Sequence, residues 1–251
     1  MAKSSSSGIC TESSGRRIIT DYMDTFIEHC NLAMSSDTPD MGYYSSLALC
    51  AFDAVFSIRA RFESVVSPLI DRLCRMVEIP RQLENPYVLP SVEQQIKVSD
   101  FVQRLHCESP EALADLLNNH QRTSSTGGIL KTEAFLLYLE VFSILSIETY
   151  QDAFTDGHPR RWLEEMLRTI PGQNVSVDYF FMLAGNENDV KVDVWIRRFV
   201  KEAVGRDDLT PLQIKQLFRD AADYYRHNGY PDMTARHLDH IIWNWQKAQH
   251  Q

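Results

Sequence analysis

Two features of the chain could do chemistry, and they lie roughly 22 residues apart: a tight turn at Ile170-Pro171-Gly172 and a carboxylate, Asp193. An apolar segment, Val175 to Ala184, follows the turn. A polar break at Gly185-Asn186-Glu187-Asn188 comes next, and Asp193 then heads an amphipathic segment, Val194 to Val200. The order reads as helix, turn, helix, polar loop, and a carboxylate at a helix start. A turn that feeds a helix presents backbone N–H groups and the positive end of the helix dipole, which suits a phosphate. A glycine there lets another backbone approach closely. The same residues also make an ordinary Pro-Gly turn between two core helices. Asp193 suits an N-cap. A carboxylate so held can also stabilise a carbon that develops positive charge and orient an attacking water.

Other residues invite weaker readings. Arg197 and Arg198 follow Asp193 on the same helix and either meet phosphate or stay solvated. The polar, glycine-containing loop Asn118 to Gly128, ahead of Lys131, either touches phosphates through its N–H groups and hydroxyls or is plain surface. Tyr179 could stack on a base or sit in the core with its hydroxyl satisfied. Ser57, Arg59 and Arg61 end an apolar helix and line either a cleft or a charged rim. His237-Leu238-Asp239-His240 places two histidines on one helix face, but no third or fourth ligand stands nearby, so no metal is expected. No Walker loop, no GxSxG and no paired Cys–His arrangement is present.

The run from 169 to 200 resembles the helix-hairpin-helix superfamily of base-excision DNA glycosylases, in a divergent, uncharacterised bacterial branch. Ile170-Pro171-Gly172-Gln173-Asn174 takes the place of that family's "LPGxGxxTA" hairpin. Val192-Asp193-Val194-Trp195-Ile196-Arg197-Arg198-Phe199 takes that of "VDTHVxRV". Phe52-Asp53-Ala54-Val55-Phe56-Ser57 sits where the family has an early buried helix. Leu130-Lys131-Thr132-Glu133-Ala134 looks like its "xKAxxI" helix start. The resemblance covers about residues 45 to 200 and, more loosely, the C-terminus. It implies an all-α, two-lobed helix-hairpin-helix DNA glycosylase-like fold acting on duplex DNA. Asp193 would be the catalytic carboxylate. Pro171, Gly172, Gln173, Asn174, Val175, Arg197 and Lys131 would contact DNA, and Tyr179 and Ser57 would line the base pocket. One lobe, residues 43–185, would carry the hairpin. Residues 16–35 with 186–251 would form the other, and the cleft between them would hold Asp193.

The chain departs from the family pattern in three places. Asn174 replaces the second hairpin glycine, although asparagine tolerates left-handed backbone better than most residues. Val175, Ser176 and Val177 stand where bifunctional members carry a lysine, so no amine is available for a Schiff base. No cysteine lies beyond Cys107, so the family's iron–sulfur cluster is not expected. The implied activity is therefore hydrolysis of an N-glycosidic bond without a lyase step. The alternative is a catalytically inactive relative that binds DNA or a protein partner.

Charge bears on that choice. The net charge is -9 and the pI about 5.4, which counts against strong nonspecific nucleic-acid binding. Between His158 and Arg206, however, eight Lys/Arg face seven acids, so this span is nearly neutral within an acidic chain. Five widely spaced cysteines without a CxxC suggest reduced thiols. With no apolar run long enough for a membrane span and no secretory h-region, the expected location is cytoplasmic.

Helical periodicity dominates the rest. After a Ser-rich tail over 1–15, expected to be disordered, apolar residues recur at helical spacing from Arg16 to Met34. Ser35 to Asp40 breaks that helix. A long apolar stretch then runs from Tyr43 to Val77, with Pro68 starting a second helix inside it. A proline-containing loop follows over 79–91. Further helices are expected over 92–105, 110–117, 130–145, 159–168, 194–204 and 211–225, and from Thr234 onward, with 147–156 as connection. Ser109, Thr210 and Thr234 are the capping residues.

Overall fold

The computed structural model describes residues 12–34, 42–84, 89–107, 109–154, 158–172 and 174–250, with only the backbone described for 12–21, 158–159 and 174. The helices are α1 (Glu12–Met34), α2 (Leu47–Phe56), a π-helical turn (Phe62–Val66), α3 (Ser67–Met76), α4 (Val98–Arg104), α5 (Pro110–Leu117), α6 (Lys131–Leu145), α7 (Tyr150–Phe154), α8 (His158–Thr169), α9 (Asn174–Leu183), α10 (Val194–Val204), α11 (Pro211–His227) and α12 (Ala235–Ala248). Among the described residues there is no β-strand beyond two isolated bridges. The class is all-α, and no described helix is long and apolar enough to cross a membrane. The chain divides into two compact units, Met41–Asn186 and Met1–Asp40 with Glu187–Gln251.

In the Met41–Asn186 unit, α2 is the centre. All ten of its residues are buried, because its sequence offers no polar face to water. It packs against α3, α4, α6 and α9. Phe52 stacks on Phe56 and meets Phe135 of α6 edge-on, while Tyr138 and Phe142 of α6 pack on Phe180 of α9. The helix stops at Phe56, earlier than the apolar run suggests, and Arg59 takes a left-handed φ of 50°. Continuing it would carry Arg59 and Arg61, both exposed, into the same core.

Two other elements differ from the sequence reading. α4 begins at Val98 rather than Val92, because the buried Gln95 side chain bonds Pro90 O, Ser91 O and Gln151 and accepts from Tyr150 N, which holds the preceding turn. The connection 147–156 contains α7, whose start is tied by Asp152 accepting from the backbone N–H groups of Glu148 and Thr149.

In the other unit, α1 packs against α10, α11 and α12, so the N-terminal helix completes a bundle made by the C-terminal quarter of the chain. Phe26 meets Phe199 and Phe218 edge-on, and Tyr225 Oη donates to Asn31 Oδ1 at 2.7 Å. α1 starts at Glu12, inside the expected tail; residues 1–11 and the Ser35–Asp40 link lie outside the described residues. The capping residues sit where the sequence places them. Ser109 and Thr234 accept from the third residue on, and Thr210 forms a reciprocal capping box with Gln213.

Candidate functional site

The Ile170-Pro171-Gly172 turn follows α8 and precedes α9. Gly172 has φ +80°, and a Cβ there would stand 2.8 Å from Thr123 Oγ1, so only glycine fits without strain. The polar loop around Thr123 is thereby seated against the turn. Arg168 near the end of α8 bonds both Glu164 and Asp178, the latter at 2.6 Å, and clamps α9 to α8. Pro171, Gly172 and Val175 are all exposed, Val175 at 64%. Gln173 and the Asn174 side chain lie outside the described residues. Ser176, near the place of the family's lysine, is buried beside Tyr138.

Asp193 is the N-cap of α10. Its Oδ1 accepts from Trp195 N at 2.8 Å and Ile196 N at 3.1 Å, and its Oδ2 accepts from Trp243 Nε1 at 3.0 Å. The residue is half-buried. An ionised carboxylate offers about four acceptor directions. Among the described residues three are used, which leaves one on Oδ2.

Beyond it, Arg197, Arg198, Lys201 and Arg206 rim a groove of about 280 Å³ floored by Val194, Val200, Leu209 and Ile214. Lys201 and Arg206 are paired with Asp207 and Asp208. Arg198 lies over the Trp195 ring, and Arg197 makes only a long 3.4 Å bond to Leu209 O. Arg197 and Arg198 are exposed and are the cations here best able to turn to an anion.

Three sequence expectations need correction. Lys131 is 1% exposed, and its Nζ donates to Phe56 O, Ile58 O and Gln121 Oε1. It closes the carbonyl end of α2 from another helix, where a cation also suits the dipole. No phosphate reaches it, and burial pulls its pKa down to about 8. Tyr179 and Ser57 are brought together, but around a buried carboxylate rather than an open base pocket. Asp53, 1% exposed, accepts from Ser57 Oγ at 2.7 Å, Tyr44 Oη at 2.9 Å and Tyr179 Oη at 3.3 Å. Tyr179 is itself buried, with no face open for stacking. Burial first, and the Asp53 charge second, push the Tyr44 phenol well above its usual range.

The sequence reading missed Asp53, Tyr44, Trp243 and Asp239. Asp239 is buried, and among the described residues its Oδ1 meets no hydrogen-bond partner. Its place beside His237 and His240 drew attention to metal binding instead. Among the described residues, no cluster of His, Cys, Asp and Glu is arranged to hold a metal ion.

The chain belongs to the family described as a domain of unknown function, DUF8548, whose model matches residues 24–247. No curated protein matches it. Among solved structures it is similar to the Clostridium acetobutylicum 8-oxoguanine glycosylase/lyase, determined in complex with double-stranded DNA containing cytosine opposite 8-oxoguanine. The TM-score is 0.54 at 9% identity, over 96% of this chain and 72% of that one. At that identity the likeness shows the fold, which is that of a DNA glycosylase.

Proposed function

We propose that the protein is a monofunctional DNA glycosylase that hydrolyses the N-glycosidic bond of a damaged or mismatched base. The observation that carries this reading is Asp193. It combines an N-cap position, at the place the superfamily's carboxylate takes in sequence, with an open acceptor direction on Oδ2. As the base leaves a flipped nucleotide, positive charge builds on the sugar, and a fixed carboxylate stabilises it and orients the incoming water. The exposed hairpin Pro171-Gly172, with Val175, and Arg197 and Arg198 on α10 supply contacts for backbone phosphates. Without an amine in the first turn of α9, the strand is left uncut after base release.

The test is base release from a panel of lesion-bearing duplexes, 8-oxoguanine opposite cytosine among them. The expected result is release without strand cleavage, reduced at least about a hundredfold in Asp193→Asn. No release from any duplex would overturn the reading.

A second reading is favoured by the net charge of -9 and by the engagement of Asp193 with three N–H donors: a non-catalytic relative that binds DNA or a protein. Salt-dependent duplex binding without turnover, unchanged in Asp193→Asn, would identify its DNA-binding form. Absence of binding at low salt would leave protein interaction.

A further inference from the structure

Helix α12 carries Asp239, Trp243 and Lys247 at one-turn spacing and packs against α10. Trp243 Nε1 donates to Asp193 Oδ2 at 3.0 Å, and the Lys247 ammonium lies over the Trp243 ring at 4.7 Å. Two bonds from the α10 backbone hold Oδ1, and the indole N–H adds a third bond, on Oδ2, that further restricts rotation of the carboxylate. An indole is a donor only, so it cannot exchange roles and accept a proton. One turn earlier, Asp239 is 3% exposed, and burial first and the Asp193 charge second hold its carboxyl well above the usual carboxylate range.

We propose that Trp243 is a positioning residue that locks Asp193 with a single acceptor direction left for a ligand. The inference rests on the reading of Asp193 as the carboxylate that meets the sugar, and it adds a residue that sequence motifs do not mark. A preorganised carboxylate needs no reorganisation as charge develops opposite it.

Trp243→Phe keeps an aromatic ring at this position of α12 and removes the N–H together with part of the indole's bulk. In base release it should lower kcat about tenfold or more with KM unchanged; a wild-type kcat would overturn the proposal. The lock is also read without turnover, by a double-mutant cycle in denaturant unfolding. An amide at 193 offers one oxygen to the helix N–H groups and turns an NH2 toward the indole, donor against donor. Asp193→Asn should therefore shift the unfolding equilibrium at least about fivefold more with Trp243 present than in the Trp243→Phe background. Additive effects would overturn the lock. If wild type releases no base, the glycosylase reading falls on its own, and the cycle alone decides the role of Trp243.

Discussion

Asp53 and Asp193 are two hydrogen-bonded carboxylates with opposite prospects. Asp53 lies on the all-buried α2 and accepts from three hydroxyls, those of Tyr44, Ser57 and Tyr179. Asp193 lies at a half-exposed helix start and accepts from two backbone N–H groups and an indole. Access separates them. A carboxylate closed in a core is a structural anchor whose donors fix the packing around it, whereas one with a solvent-facing neighbourhood and an open acceptor direction can meet a ligand. The apolar helix that resembled the family's early buried helix thus carries an anchor, and the reactive candidate sits in the other unit.

The largest effect expected from breaking this contrast is at Asp53. Asp53→Ala removes the acceptor shared by three hydroxyls, two of them on buried tyrosines, and should destabilise the protein by about 3 kcal/mol or more in denaturant unfolding. An exposed carboxylate would show under about 0.5 kcal/mol.

Lys131→Met comes next. It leaves two backbone carbonyls at the end of α2 without their shared donor and should cost about 2–3 kcal/mol. Duplex affinity of the folded variant should stay at the wild-type level, while Arg197→Ala should weaken binding and flatten its salt dependence by about one unit of slope. Equal losses from both variants would return Lys131 to the DNA-facing set.

A pH-dependent effect is expected at Asp239, whose carboxyl is raised in the folded protein by burial and by Asp193. Below the ordinary carboxylate value of 3.8 both folded and unfolded chains hold this proton. Above it the unfolded chain ionises while the folded one keeps the proton, so stability falls as pH rises toward the folded value, by up to about 1.4 kcal/mol per unit. Asp239→Asn should flatten that slope in melts at successive pH values. An unchanged slope would mean that Asp239 ionises in the fold.

The helical plan was legible because its signals are local. Pro171-Gly172, the capping Ser109, Thr210 and Thr234, and Asp193 as an N-cap each act within one turn of the residue that announces them. The site chemistry was less so. Lys131 sat in a helix start that resembles a family motif, yet its ammonium is bonded to carbonyls more than 70 residues away. Tyr179 read either as a stacking surface or as a core phenol, and only its bond to Asp53, 126 residues distant, chose between them.

What the amino-acid order determined by itself is most of the helices, where the capped ones begin, and the glycine that the turn after α8 needs, since backbone sterics and capping bonds act over three or four residues. Tertiary structure alone decided which carboxylate is sealed and which is open, and that Trp243 reaches Asp193 across 50 residues. Burial and long-range hydrogen bonds depend on which helix faces meet, and hydrophobic patterning fixes that a face is buried without fixing its partner.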